Sequence, residues 1–166
     1  ALENEAEAVA IVDIVRSIAK SGGFLRRVHE MDGAAHPPIG IIAMYAAQRD
    51  LVRRKLEQAD WATDIRDLYS VGTVDSYQGK ENRIIILSVV RNDTSRTIGF
   101  LSDPERINVA MSRARDRLIV VSSSAMWQSH PRSPMHSVLE EIRKLAASDN
   151  AAFVPSQDLK RSVAHA

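Results

Sequence analysis

Three stretches of this sequence carry side chains that could bind phosphate groups, and the first is residues 71–81, VGTVDSYQGKE. A strand-like segment there runs into a turn in which Thr73, Ser76, Gln78 and the backbone of Gly79 could contact a polyanion. Open α/β sheets bind ligands at the carboxyl ends of their strands, so the composition and the position of this turn agree. The alternative is an ordinary loop whose polar side chains face water.

The second stretch, residues 103–117 (DPERINVAMSRARDR), predicts a helix with an arginine-bearing flank. Asp103 suits the N-cap of that helix and Pro104 its first position. At 100° per residue, the stripe predicted to pack on a sheet contains Ile107, Ala110, Met111 and Ala114. Arg106 and Arg113 share one flank. Because a guanidinium is always charged and binds phosphate bidentately, Arg113 could reach a phosphate across an interface; the alternative is a solvated basic face.

The third stretch contains Tyr45, Gln48 and Arg49, at the point where a predicted strand ends and a predicted helix begins. From this carboxyl-end position Tyr45 could stack on a base and Arg49 could reach a phosphate. The alternative is that these side chains take part in core or surface packing.

Several other kinds of site are excluded by the sequence. A GxxxxGK[ST] phosphate loop is missing, because the sole Gly-Lys pair, at 79–80, is followed by Glu81 and position 74 is Val. The absence of Cys excludes disulfides, thiolate metal sites and cysteine nucleophiles. The five His have no metal-ligand spacing, so no metal site is predicted, and the carboxylate constellation of a nuclease is missing.

The composition is that of one globular domain without a strong overall charge. Of 166 residues, 45% are hydrophobic and 26% charged, and 22 Lys plus Arg against 21 Asp plus Glu give a net charge of +1. Any basic site must therefore be local. The apolar run at 84–90 is too short to span a bilayer, and the acidic start at 3–7 does not resemble a signal peptide. We expect a cytoplasmic protein without a membrane partner.

Alternating apolar runs and amphipathic segments predict an α/β domain with a mainly parallel sheet. The predicted strands are 39–45, 69–74, 83–90 and 117–122. The predicted helices are 4–20, capped by Asn4, and 46–58, 104–115 and 135–147. Residues 23–38 are predicted to form a loop, with at most a short element at 25–28. We place one domain at 1–150 and a polar tail at 151–166, and because the chain opens in a helix we expect the natural protein to begin further upstream.

Taken in order, these segments resemble superfamily 1 helicases, in the branch that contains the nonsense-mediated-decay helicase and its bacterial and DNA-acting relatives. Residues 4–15 (NEAEAVAIVDIV) resemble the helix before motif IV of that family, and residues 39–49 (IGIIAMYAAQR) resemble motif IV. Residues 71–91 (VGTVDSYQGKENRIIILSVVR) resemble motif V, and residues 98–121 (IGFLSDPERINVAMSRARDRLIVV) resemble motif VI. The length of motifs V and VI makes the resemblance specific.

The resemblance implies the second of two RecA-like domains, a three-layer α/β domain with a mainly parallel sheet and without its own phosphate loop. It implies that ATP and Mg²⁺ are bound mainly by an N-terminal RecA-like domain, which would be the partner of this chain. Arg113 corresponds to the arginine finger and Arg49 to another γ-phosphate contact. The residues implied on the nucleotide side are Gln78, Gly79, Glu81 and Tyr45, and Gln78 would also couple nucleotide to strand. The residues implied near the phosphates of a single-stranded nucleic acid are Thr73 and Ser76.

Two positions depart from the family pattern. Ala43-Met44 stands where relatives often have Thr-Pro, so a nucleic-acid contact from that Thr is not expected here. Residues 122–124 replace the usual Gly-Asn, which affects the turn and not the finger.

The function implied by the resemblance is that of the C-terminal motor domain of an ATP-dependent DNA or RNA helicase, inactive alone, which supplies the finger and part of the nucleic-acid track. The alternative is a non-enzymatic nucleic-acid or protein binding module that keeps the helicase fold. A phosphate loop upstream in the same reading frame would favour the motor.

Overall fold

The structure is a computed structural model that describes residues 2–33, 35–90, 99–155 and 157–159. The helices are α1 (Glu5–Ala19), α2 (Gly22–Asp32), α3 (Ala46–Glu57), α4 (Pro104–Met111), α5 (Ser124–Gln128) and α6 (Pro134–Ala147). The strands are β1 (Ile39–Ala43), β2 (Tyr69–Thr73), β3 (Asn82–Ser88) and β4 (Ala114–Val121). Short 3₁₀ segments cover Asp60–Leu68, Asp75–Tyr77 and Gly99–Ser102.

These four strands form one parallel sheet in the order β2-β1-β3-β4. β1 pairs with both neighbours, so that Ile39 stands opposite Tyr69 of β2 and Ile84 of β3. Because the strands are parallel, all of them begin at one edge of the sheet, here called the amino edge, and end at the other, the carboxyl edge. The predicted α/β fold with a parallel sheet is confirmed.

Helices cover both faces of the sheet, which gives the domain three layers. One apolar cluster joins α1, α2 and α3 to Ile39, Ile41 and Ile86. A second cluster joins α4, α5 and α6 to Ile42 and Ile85. Successive strand residues therefore feed opposite faces, and the unbroken burial of β1 is typical of a strand covered on both sides.

Residues 22–32 form α2, where the sequence predicted a loop. The two Gly at its start oppose a helix, because Gly has the lowest helix propensity of the residues other than Pro. Leu25, Val28 and His29 lie at helical spacing and are buried. Their burial outweighs the local preference, so the loop prediction is wrong for this segment.

Helix α4 ends at Met111 and β4 already begins at Ala114, so the predicted helix 104–115 is too long. Ala114 pairs with the first residue of β3, ahead of an irregularity in the β3–β4 register. This additional pairing extends the strand toward the helix. Arg113 therefore lies in the turn between α4 and β4, and not on a helical flank shared with Arg106.

The remaining predicted helices and strands are present, with ends that shift by a few residues. The sequence analysis did not predict α5 or the 3₁₀ segments. In the predicted polar tail, residues 151–155 form neither helix nor strand, while residue 156 and residues 160–166 lie outside the described part of the chain.

Candidate functional site

The carboxyl end of β2 is closed by a tight turn between Thr73 and Ser76. The Ser76 Oγ atom accepts a hydrogen bond from the Thr73 N–H at 2.9 Å and donates one to the Thr73 carbonyl at 2.8 Å. Thr73 is half-buried and Ser76 is exposed. The Thr73 hydroxyl accepts from the Ser76 N–H at 3.4 Å and can still donate to a phosphate oxygen. The Ser76 hydroxyl would first have to release the Thr73 carbonyl.

Tyr45 and Arg49 reach the same edge from the end of β1. Arg49 lies in the first turn of α3, where its Nε atom donates to Asp50 Oδ1 at 2.8 Å and its side chain is 29% exposed. Tyr45 is the N-cap residue of α3, but it is only 8% exposed and packs in the apolar cluster of α4, α5 and α6. In this chain the ring contributes to packing, and the stacking of Tyr45 on a base stays a prediction.

Residues 74–81 cross from the carboxyl end of β2 to the amino end of β3. In the middle of this crossover Tyr77 is 2% exposed, and its hydroxyl hydrogen-bonds with Ser70 near the start of β2. A Cβ atom on Gly72 would lie 2.5 Å from Ser76 Oγ and 2.8 Å from the Tyr77 ring. Only glycine allows the crossover to lie so close to the strand.

The crossover ends at the amino edge in the exposed turn 78–81, which contains Gln78, Gly79, Lys80 and Glu81. Gly79 has a φ of +78°, a backbone conformation that favours glycine. The Lys80 N–H donates to the Tyr77 carbonyl at 3.0 Å, which closes the turn.

Arg113 lies directly beside this turn. Its carbonyl accepts a hydrogen bond from the Asn82 N–H at 3.1 Å, and its Nη1 atom lies 3.5 Å from the Lys80 carbonyl. Its Nε atom donates to the Val109 carbonyl and its Nη2 atom to Ser112 Oγ, both at 3.0 Å. All of these acceptors are neutral, and they hold the guanidinium against the end of α4.

The predicted site residues thus divide between two edges of the sheet. Arg113 shares the amino edge with the turn 78–81, whereas Arg49 shares the carboxyl edge with the turn 73–76. Arg49 follows a strand and Arg113 precedes one, so the length of a strand separates them, about 16 Å for the five residues of β1. The backbones of these two arginines therefore lie at opposite edges of the sheet, and a contact of both with one γ-phosphate stays a prediction.

Sequence reasoning missed a buried carboxylate at the carboxyl edge, that of Glu7 in α1. Glu7 is 6% exposed, and its Oε2 atom accepts hydrogen bonds from Ser88 Oγ and the Val90 N–H. Burial raises the pKa of Glu7 from 4.5 to about 7, against the opposing effect of these hydrogen bonds. The signal was available, because Glu7 lies on the same helical stripe as Ile11.

Two groups of ion pairs also escaped prediction. Arg106 pairs with Asp75 at 2.9 Å, which ties the start of α4 to the crossover. At the amino edge Arg83 pairs with Asp32 at 2.7 Å and with Asp116 at 3.1 Å. Hydrogen bonding from Arg83 lowers the pKa of Asp32. These pairs join α2 to β3 and β4 where those strands begin.

Within the described ranges, no group of three or more His, Asp or Glu side chains is placed to hold a metal ion. Of the helices in those ranges, none combines the length and the apolar character needed to cross a membrane.

Known proteins share this sequence pattern. The profile of a protein family described as "AAA domain" matches residues 1–125. The chain is 33% identical over 130 residues to a "Regulator of nonsense transcripts 1 homolog" of Neurospora crassa, covering 76% of this chain and 11% of that protein. It is 35% identical over 119 residues to "ATP-dependent helicase NAM7" of Saccharomyces cerevisiae, covering 63% of this chain and 12% of that protein.

One further relative is a DNA helicase according to its name. The chain is 39% identical over 90 residues to "DNA polymerase alpha-associated DNA helicase A" of Saccharomyces cerevisiae, covering 54% of this chain and 13% of that protein. The chain therefore spans between 11% and 13% of the lengths of these three relatives.

Proposed function

Because the chain belongs to this AAA-domain family and is the second RecA-like domain of a superfamily 1 helicase, in the branch of the nonsense-mediated-decay helicase, we propose that it is the C-terminal half of an ATP-dependent DNA or RNA motor. In this proposal the amino edge of its sheet completes an ATP site, and the carboxyl edge carries part of a single-stranded nucleic-acid track. The names of the relatives support helicase activity in the family, and the assignment of the edges rests on the geometry of this chain.

The amino edge fits the phosphate end of ATP. Within the described part of the chain, Arg113 offers a guanidinium that is held by neutral acceptors, and guanidinium binds phosphate oxygens bidentately. At Gly79 a Cβ atom would meet nothing within 4 Å, so open space lies beside the backbone of the turn. Arg113 is the proposed arginine finger, and Gly79 and Glu81 contact the nucleotide. Because the sequence has no phosphate loop, the proposal assigns that loop and the Mg²⁺ site to an N-terminal RecA-like domain.

The carboxyl edge fits the backbone of a single strand. Thr73 and Ser76 place two hydroxyl groups at its surface. Arg49, which pairs with Asp50, adds a guanidinium after the neighbouring strand β1. Hydroxyl and guanidinium groups bind phosphates without regard to base sequence. This composition supports a track that a motor can follow along many sequences.

The observation that carries the proposal is the short crossover, residues 74–81, that joins the turn of Thr73 and Ser76 at the carboxyl edge to the turn beside Arg113 at the amino edge. Its buried centre at Tyr77 and the Arg106–Asp75 ion pair hold it against the sheet and α4. A movement of the amino edge on closure over ATP would therefore reach the carboxyl edge through eight residues, among them Gln78, the proposed coupling residue.

Strand-stimulated ATP hydrolysis tests the proposal as a whole. We expect this chain alone to release no phosphate from ATP, with or without oligonucleotide, and the longest polypeptide of the same reading frame to be active and stimulated by single strands. The contrast follows because one RecA-like half lacks the phosphate loop. Hydrolysis by the chain alone would contradict the division of the site, and an inactive long polypeptide would favour the non-enzymatic binding module.

Arg49→Ala tests the assignment of the edges. In the long polypeptide we expect this variant to bind a single strand more weakly and to lower the slope of log affinity against log salt by about one, as for the loss of one phosphate contact. ATP hydrolysis without strand should stay at the parent rate, because Arg49 lies at the carboxyl edge. Fluorescence anisotropy in a salt series measures the first effect and phosphate release the second.

The matched control for that variant is Arg54→Ala, which removes an equally charged and more exposed side chain from the same helix. The Arg54→Ala variant should leave the slope of log affinity against log salt unchanged. A loss of strand-independent ATP hydrolysis in Arg49→Ala would instead favour a role for Arg49 in the nucleotide site.

A further inference from the structure

A buried polar cluster lies beneath the first turn of α3, at the carboxyl edge. Its centre is the Glu7 carboxylate, whose Oε2 atom accepts from Ser88 Oγ at 2.8 Å and from the Val90 N–H at 2.9 Å. Ser88 Oγ in turn accepts from Gln48 Nε2 at 3.1 Å. Gln48 and Ser88 are fully buried, so this chain of amide, hydroxyl and carboxylate is shielded from water.

Asn4 closes the cluster into a ring. Its N–H donates to Gln48 Oε1 at 2.7 Å and its carbonyl accepts from Gln48 Nε2 at 3.1 Å. Its Nδ2 atom donates to the Val90 carbonyl at 3.3 Å. The ring therefore joins three segments that are far apart in sequence: the start of α1, the start of α3 and the residues that follow β3.

Val90 has a φ of +76°, a conformation that a β-branched side chain strongly disfavours. Its N–H is held by Glu7 and its carbonyl by Asn4. Both backbone polar groups of Val90 are thus held by side chains at the start of α1. Removing the acceptor at Glu7 would leave the Val90 N–H unpaired in the interior and the strained backbone of Val90 without its main restraint.

A stable core alone does not account for this cluster. Burial of a carboxylate opposes folding, and the Glu7 Oε1 atom is buried without a hydrogen-bond partner among the described residues. Apolar side chains would fill the space at lower cost, although they could not fix the three segments in one arrangement. The segments so fixed include the first turn of α3, which presents Arg49.

We propose that Glu7 is a positioning residue for strand binding: through Ser88, Gln48 and Val90 it sets the arrangement of the carboxyl edge that presents Arg49 to nucleic acid. This inference rests on the proposed function of that edge. It assigns Glu7 no contact with substrate, because the side chain is buried. The hydrogen bonds that Glu7 accepts carry the effect, and its charge does not.

The test compares Glu7→Ala, Glu7→Gln and Glu5→Ala in this chain. Glutamine keeps an oxygen acceptor for Ser88 and Val90, and Glu5 is a 68% exposed carboxylate in the same turn of α1 that pairs with Lys55. Anisotropy of fluorescein-labelled oligothymidylate and oligouridylate gives the dissociation constant, at a temperature where circular dichroism shows each variant folded. Amide hydrogen exchange at Val90 reports whether its N–H is still held.

We expect Glu7→Ala to weaken strand binding on the order of fivefold, the equivalent of one net hydrogen bond, and to speed exchange at Val90. Glu7→Gln and Glu5→Ala should match the parent in both measurements. Parent-like binding by folded Glu7→Ala would overturn the proposal, as would Glu7→Gln binding as weakly as the alanine variant. If Glu7→Ala does not fold, Ser88→Ala takes its place, because it also removes one member of the ring. The same weaker strand binding and faster exchange at Val90 are then expected of Ser88→Ala.

Failure of the parent chain to bind either oligonucleotide would contradict the proposed function of the edge. The exchange measurement then still decides whether Glu7 holds the backbone of Val90. Fast exchange at Val90 in the alanine variant alone supports that role, and equal exchange in all variants refutes it.

Discussion

Replacement of Arg113 by alanine in the long polypeptide is expected to lower strand-stimulated ATP hydrolysis by about 10³-fold or more, the range in which arginine fingers act. The reason is electrostatic: charge that develops on the transferred phosphoryl group loses its guanidinium partner. Folding should not change. The present contacts of Arg113 are hydrogen bonds to the end of its own helix and to the neighbouring turn, and surface contacts of this kind contribute little to stability.

Steady-state phosphate release at saturating strand measures this effect. Arg117→Ala is the matched control, because it removes the same charge from an exposed position on β4. Arg113→Lys separates charge from geometry: it keeps the charge but not the bidentate fork, so its rate should fall between those of the parent and the alanine variant. Unchanged turnover in Arg113→Ala, with an unchanged melting temperature, would show that Arg113 is not the arginine finger.

The fold followed from the sequence wherever a segment was long and strongly periodic. The apolar run of β1 and the capping signals at Asp103 located a central strand and the start of α4 correctly. The end of α4 was misplaced because the pairing of Ala114 with β3 ends the helix, and that pairing depends on register between strands. Asn82, the partner of Ala114, is distant in sequence, so the helical pattern of residues 104–115 does not reveal this pairing.

The candidate site was predicted in part. The turns 73–76 and 78–81 lie at the surface, as a binding role requires, and Arg113 lies beside the second of them. The separation of Arg49 from Arg113 was within reach of sequence reasoning, because one follows a strand and the other precedes one. Burial of Tyr45 was not, since it depends on how closely α4, α5 and α6 pack against the end of β1.

The Glu7 cluster shows a different kind of gap between sequence and structure. A glutamate on the apolar stripe of α1 can be recognised as buried, but its partner Ser88 is 81 residues away. The two meet only because α1 packs against the carboxyl end of β3. Long-range polar pairs of this kind follow from the assembled layers of the fold and not from any local pattern.

Burial of Glu7 also predicts how stability changes with pH. The pKa of this group is raised from 4.5 to about 7 in the folded chain, so below pH 4.5 the group is neutral in both states and opposes folding least. Between those values the unfolded chain is ionised while the folded chain holds the proton, and stability falls as pH rises. Above pH 7 the loss is complete, at about 3 kcal/mol for a shift of this size.

Glu7→Gln removes this titration, so its free energy of unfolding should rise relative to the parent by about 3 kcal/mol between pH 4.5 and pH 8. Urea unfolding across that range, followed by the fluorescence of the buried Trp127, measures the difference. Glu5→Gln is the control, and its difference from the parent should not vary in this way. Carboxylates such as Asp32, whose pKa is lowered, lose their contribution at the acid end, but they do so equally in parent and variant and cancel. A difference that is flat with pH would mean that Glu7 is ionised in the folded chain throughout, and that its hydrogen bonds from Ser88 and Val90 compensate fully for burial.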